Sequence, residues 1–182
     1  TEMDGSCWYH SIALALDTSF CTALHYSDHD RVQRGLDLRK LICEDTKLYN
    51  RAKNRVEEEL RSFVPKQIDI KQSAFFIGQF GWSMTAEALQ MGIIIILTKR
   101  EHGGLTSLPF KHKDHVEELK KEYKYSLGAG ELIEEARKRD ILPERWLLVA
   151  CINDSHFQSI LCVDKAKSEV YGVFPYNSVV EF

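Results

Sequence analysis

Near its N-terminus the chain reads Asp4-Gly5-Ser6-Cys7-Trp8-Tyr9-His10-Ser11-Ile12-Ala13, a small polar run leading into an apolar one that continues through Leu14 and Leu16. Asp4 and Ser6 are both N-cap residue types, and the stretch predicts a helix that begins near Cys7. A cysteine in the first turn of a helix directs its sulfur toward unpaired backbone N–H groups and the positive end of the helix dipole. Both lower a thiol pKa, and the thiolate is the nucleophile. The turn before it, Asp4-Gly5-Ser6, places backbone amides where they can converge on a developing oxyanion. Taken alone, Cys7 reads more simply as a small buried apolar side chain, as most cysteines are. The rest of the chain decides between the two.

The chain has 182 residues, 44% of them hydrophobic and 28% charged, the mix of an ordinary globular protein. That length suits one domain with a core of its own. Lys and Arg number 24 against 27 Asp and Glu, a net charge of −3, so no basic excess points to nucleic acid as a partner. The longest apolar run, Ile93-Ile94-Ile95-Ile96-Leu97, is too short to span a bilayer, and no membrane partner is expected. The five cysteines, Cys7, Cys21, Cys43, Cys151 and Cys162, are odd in number and contain no CxxC pair. They suit a reducing compartment, and a cytoplasmic location is expected. No signal peptide opens the sequence, a start at Thr1 suggests a domain cut from a longer protein, and a single domain over 1–182 is expected to be monomeric.

Further helices are predicted over 31–42, where Val32, Leu36, Leu38, Leu41 and Ile42 fall at helical spacing, and over 49–63, closed by Pro65. A short helix over 84–91 stops at Gly92. The aliphatic run from Ile93 predicts a strand buried on both faces. The segments 18–30 and 101–108 read as loops, and 68–80 as a surface segment without a motif. Charged helices are expected over 115–125 and 129–139, then strands over 146–152, 157–163 and 170–174, with a hairpin turn at Lys165-Ala166-Lys167-Ser168. Helices come first and strands cluster late, which gives an α+β class with a small central sheet flanked by helices.

His156 opens the alternating segment His156-Phe157-Gln158-Ser159-Ile160. On a strand, His156 and Gln158 share one face and Phe157 and Ser159 the other. An imidazole with a polar partner two residues on can act as an oriented base. One histidine among seven on a strand carries little weight by itself.

The segments taken together carry more. Asp4-Gly5-Ser6-Cys7-Trp8-Tyr9-His10-Ser11-Ile12-Ala13 closely resembles the nucleophile signature of OTU (ovarian tumour) cysteine proteases. That signature is Asp-Gly-x-Cys, an aromatic two residues on, then Ser/Ala-Ile/Leu-Ala. His156-Phe157-Gln158-Ser159-Ile160 resembles the family's second block. Gly81-Trp82-Ser83-Met84-Thr85-Ala86-Glu87-Ala88-Leu89 with the strand from Ile93 is similar to its middle block, and Leu38-Arg39-Lys40-Leu41-Ile42 to its Leu-Arg helix. Four blocks stand in the family's order and span most of the chain.

The resemblance implies an OTU-like cysteine protease fold and a cysteine-dependent deubiquitinase. Such an enzyme cleaves isopeptide bonds at the C-terminus of ubiquitin or a ubiquitin-like modifier, without a cofactor. It implies Cys7 as nucleophile, His156 as general base, and backbone amides around Asp4, Gly5, Ser6 and Cys7 as oxyanion hole. Gln158 stands where the family commonly carries Asn or Asp, and an amide orients an imidazole without charge. Three side chains therefore compete for the third role: Gln158, then Asp154, which shares strand parity if the strand starts early, then Asn177. The departure at Gln158 keeps an inactive ubiquitin-binding module open as an alternative. A viral or bacterial effector origin, with a host-cytoplasm location or a polyprotein-processing role, is also compatible. Cys21 with His25 and Cys151 with His156 lack the paired spacing of a zinc site, and no metal is expected.

Overall fold

The computed structural model describes residues 5–18, 28–60, 64–72, 78–99 and 103–179. Five helices precede the first strand: α1 (Cys7–Leu16), α2 (Asp28–Glu44), α3 (Thr46–Leu60), the one-turn α4 (Gln67–Ile70) and α5 (Gln79–Leu89). Then come β1 (Gly92–Leu97), β2 (Gly104–Ser107), α6 (Phe110–Glu122), α7 (Ala129–Lys138), β3 (Arg145–Ile152), β4 (His156–Ser159), β5 (Cys162–Asp164), β6 (Glu169–Tyr171), β7 (Val173–Pro175) and α8 (Tyr176–Val179). The main sheet is mixed, in the order β2-β1-β3-β4, and β7 joins β3 as well. β1 and β3 run parallel at its centre, joined by a crossover that carries β2, α6 and α7. On its other edge β3 holds two partners in succession: β7 along Arg145–Leu147 and β4 along Val149–Ile152. β5 and β6 form a separate hairpin.

The parallel register Ile93↔Leu147, Ile95↔Val149 and Leu97↔Cys151 puts these side chains on one face, all of them buried. Trp8, Tyr9, Ile12 and Ala15 of α1 belong to the same core as these side chains. The opposite face is less covered, with Ile94 half-buried and Ile96 41% exposed. β1 is thus aliphatic throughout but buried on one side only, which corrects the two-sided burial expected from its composition.

Other boundaries also shift. The segment read as a loop after residue 101 contains β2, which pairs antiparallel with β1, Ile93 opposite Ser107. Its four residues, led by Gly104, are too few to show alternation. The strand expected over 157–163 is two strands, broken at Ile160 and Leu161, and that over 170–174 is broken at Gly172. The segment 18–30 is only partly described; its last residues, from Asp28, already belong to α2. The segment 68–80 contains α4 and the start of α5.

Within α2 the buried stripe is Gly35, Arg39, Ile42 and Cys43, at helical spacing, while Leu41, expected on the apolar face, is 73% exposed. Gly35 lets α1 and α2 approach closely: a Cβ at this position would stand 1.9 Å from Nδ1 of His10, itself buried. Overpacking of this kind costs about 1–3 kcal/mol, more than alanine's helix propensity of about 1 kcal/mol returns. Gly35→Ala is therefore expected to lower the melting temperature by roughly 2–8 °C. An unchanged melting curve would show that the two helices can part at no cost.

Candidate active site

Cys7 is the first residue of α1 and is buried. Ser6 occupies the N-cap position, but its side chain makes no capping hydrogen bond; its carbonyl accepts the His10 N–H at 3.0 Å, and its hydroxyl accepts from Arg39 at 2.8 Å. Asp4, the other cap candidate and part of the expected oxyanion hole, lies outside the described residues, as does Cys21. Gly5 has φ 78°, in the left-handed region that glycine enters without strain.

His156 is delivered by a tight hairpin. β3 ends at Ile152, Asn153 and Asp154 both take positive φ (54° and 59°), and Ser155 N–H returns to the Ile152 carbonyl at 3.2 Å. Three residues, Asn153 to Ser155, stand between the paired Ile152 and His156, and the first two take the left-handed conformation that Asn and Asp tolerate. His156 pairs with Ile152 as the first residue of β4. Cys7 Sγ lies 4.0 Å from the carbonyl oxygen of Ser155, the residue before His156. The start of α1 and the start of β4, 148 positions apart in sequence at that contact, thus meet end to end.

Two serines fix this junction. Ser11 Oγ lies 2.7 Å from the Phe157 carbonyl and 2.8 Å from the Cys7 carbonyl, and Ser159 Oγ donates to the Ser11 carbonyl. Aromatic packing reinforces it. Phe157 stands edge-on to Trp8 (centroids 5.2 Å apart) and to Trp82 (5.8 Å), while Trp8 and Trp82 lie 5.8 Å apart. Trp8 Nε1–H donates to Thr85 Oγ1 at 3.0 Å. Aromatic pairs contribute about 0.5–1.5 kcal/mol each beyond their buried area. The cysteine segment, the Trp82 segment and the histidine segment therefore converge on one aromatic cluster beneath the Cys7 end of α1.

Burial pushes the His156 imidazole below its ordinary 6.5, which favours the neutral ring that can accept a proton. Cys151 lies on the Phe157 face of the sheet, opposite Phe157 itself. Burial pushes its thiol up, and the Asp154 carboxylate and Cys7 add to this, so Cys151 is held protonated close to Cys7.

The candidates for the third role separate. Gln158 shares the His156 face by alternation but is exposed, and its side chain makes no hydrogen bond among the described residues. β4 starts at His156, so Asp154 is a turn residue rather than a strand neighbour, and its carboxylate lies 3.7 Å from Lys99 Nζ. Asn177 sits in α8 beyond β7, where its Oδ1 accepts from Arg137 at 3.3 Å. β7 pairs with the opposite end of β3 from β4, roughly 20 Å away along an eight-residue strand.

Sequence reasoning assigned no role to Arg39 or Ser11. Arg39 had a signal, its place in the buried stripe of α2. Among the described residues no three His, Cys, Asp or Glu side chains group as metal ligands, and no helix is long and apolar enough to cross a membrane.

No known family's sequence profile matches the chain, and no curated protein matches it. The arrangement does match a solved structure described as an Ovarian Tumor (OTU) domain in complex with ubiquitin, at TM-score 0.51 and 14% identity, covering 97% of this chain and 73% of that one. The fold is that of an OTU domain. The Hazara virus OTU bound to ubiquitin also aligns, at TM-score 0.45 and 13% identity, over 87% of this chain and 76% of that one. The mixed sheet flanked by helices agrees with the α+β class expected from the sequence. In this OTU fold Cys7 opens a helix and His156 opens a strand that meets it, which is what a thiol–imidazole pair requires of its scaffold.

Proposed function

We propose that the protein is a cysteine-dependent deubiquitinase that hydrolyses the isopeptide bond after the C-terminal glycine of ubiquitin or of a ubiquitin-like modifier. The observation that carries this reading is the meeting of Cys7, at the N-terminus of α1, with the peptide leading into His156, on an OTU fold. In the proposed reaction His156 takes the Cys7 proton and the thiolate attacks the glycine carbonyl carbon. An S–C bond forms and the carbonyl oxygen becomes an oxyanion held by backbone amides of the 5–7 loop. The imidazolium then protonates the lysine amine as the C–N bond breaks, leaving a thioester. Water, deprotonated by His156, attacks the thioester and releases the ubiquitin carboxylate and the Cys7 thiol.

One observation favours a second reading. Gln158, two residues after His156, is a neutral amide exposed to solvent, and the Asp154 carboxylate lies 3.7 Å from Lys99 Nζ. An OTU-fold module that binds ubiquitin without cleaving it fits that feature. The two readings part in one experiment. Incubated with ubiquitin bearing a C-terminal vinyl methyl ester, an active protein gains the mass of one ubiquitin and releases monomers from isopeptide-linked diubiquitin. Binding of ubiquitin with no adduct and no cleavage would establish the module instead.

A further inference from the structure

Arg39 is the one cation among the described buried residues, with 3% of its surface exposed, and it reaches the loop in front of Cys7. Its Nη1 donates to the Gly5 carbonyl at 3.0 Å and to Ser6 Oγ at 2.8 Å. Its Nη2 donates to the Ile70 carbonyl at 3.2 Å and to the Gln72 carbonyl. The guanidinium also stands 5.7 Å from the centre of the Tyr9 ring. Arg39 thus braces the 5–6 turn against the end of α4, with the helix α2 as its base.

Burying a guanidinium is costly, and apolar packing of the same volume is commonly as stable or more so. The geometry of the loop gives the charge a purpose. A trans peptide is planar, with its C=O and the next N–H on opposite edges. Holding the Gly5 carbonyl on Arg39 therefore fixes the Ser6 N–H on the other edge. Gly5, at φ 78°, has no Cβ to restrain the ψ rotation that turns this peptide, and Arg39 supplies the restraint on that side.

We infer that Arg39 is a positioning residue for catalysis: it locks the amide edge of the 5–7 loop in the orientation that receives the oxyanion. This rests on the thiol-protease reading of Cys7. Arg39 acts through the loop and touches neither thiol nor imidazole in the described contacts. Donors fixed in advance need no reorganisation as the oxyanion forms, which is where such groups contribute most.

The test compares two reactions of the same thiol. Hydrolysis of ubiquitin–aminomethylcoumarin passes through an oxyanion; alkylation of Cys7 by iodoacetamide, followed by mass spectrometry, does not. Arg39→Lys keeps the charge but cannot span both pairs of acceptors. It is expected to lower kcat about 100-fold, with KM within about threefold and the alkylation rate within about twofold of wild type. Ser6→Ala removes one of the four acceptors among the described residues and leaves every backbone amide in place; it should lower kcat about 3- to 10-fold with the same unchanged alkylation. It carries the test if Arg39→Lys melts below the assay temperature. An unchanged kcat in the folded variants, or alkylation falling in step with kcat, overturns the inference while leaving the enzyme reading intact. A wild-type protein that alkylates at Cys7 but never turns over the substrate defeats the enzyme reading, and the role of Arg39 with it.

Discussion

Cys7→Ala is expected to abolish covalent capture of ubiquitin vinyl methyl ester, with no adduct in the intact mass spectrum, while the protein still melts cooperatively. None of the other described thiols is placed to substitute. Burial pushes the Cys43 and Cys151 thiols up, so neither supplies much thiolate near neutral pH. Cys162 is exposed in the β5–β6 hairpin. That hairpin meets the far end of α1, where Thr18 Oγ1 donates to the Val170 carbonyl at 2.7 Å, roughly 15 Å of helix from Cys7. Deleting one buried sulfur changes stability by about 1 kcal/mol, a shift of some 2–4 °C. Capture by the alanine variant at a tenth of the wild-type rate or more would move the nucleophile elsewhere.

Loss of His156 is the second large effect. His156→Ala is expected to lower turnover 10²- to 10⁴-fold, the range for removing a general base. Gln158→Ala should change turnover by less than about threefold, because the exposed Gln158 side chain makes no hydrogen bond to the ring among the described residues. If Asp154→Ala costs more than Gln158→Ala, the turn carboxylate takes the orienting role; if neither has an effect, Cys7 and His156 act as a dyad. The same histidine leaves a mark on stability. Burial holds its native pKa below 6.5, so as pH falls below 6.5 the unfolded chain takes up the proton first. Its contribution is fully present above that value and is lost on acidification through the window below it. His156→Ala should flatten this part of the stability–pH curve, and an identical acid slope in the variant would contradict the burial of the ring.

The parts of this site differ in how openly the sequence shows them. α1 is legible because a polar turn meets an apolar run, and β1 because five aliphatic residues stand together. β2 is hidden by its length, since four residues with a leading glycine show no alternation. The break between β4 and β5 is hidden as well, because Ile160 and Leu161 continue the apolar pattern through it. The turn that delivers His156 was within reach: Asn153-Asp154 between two apolar runs is a hairpin signal. Arg39 was harder. A helix arginine is ordinarily a solvated one, and only its position four after Gly35 and four before Cys43 places it on the buried stripe. The meeting of Cys7 with the Ser155–His156 peptide was not legible from local pattern at all, since it depends on α1 docking against β4, 148 positions away in sequence at that contact.

That dependence has a consequence for the protein while it is being made. Cys7 leaves the ribosome 149 residues before His156, and β3, on which the His156 strand pairs, comes only just before it. At about 5–20 residues per second, the interval between them is roughly 7–30 s. Throughout that time the Cys7 thiol exists without His156 and without the strand that carries it. On the proposed deubiquitinase reading, the newborn chain cannot act on its substrate until synthesis has passed the β3–β4 turn.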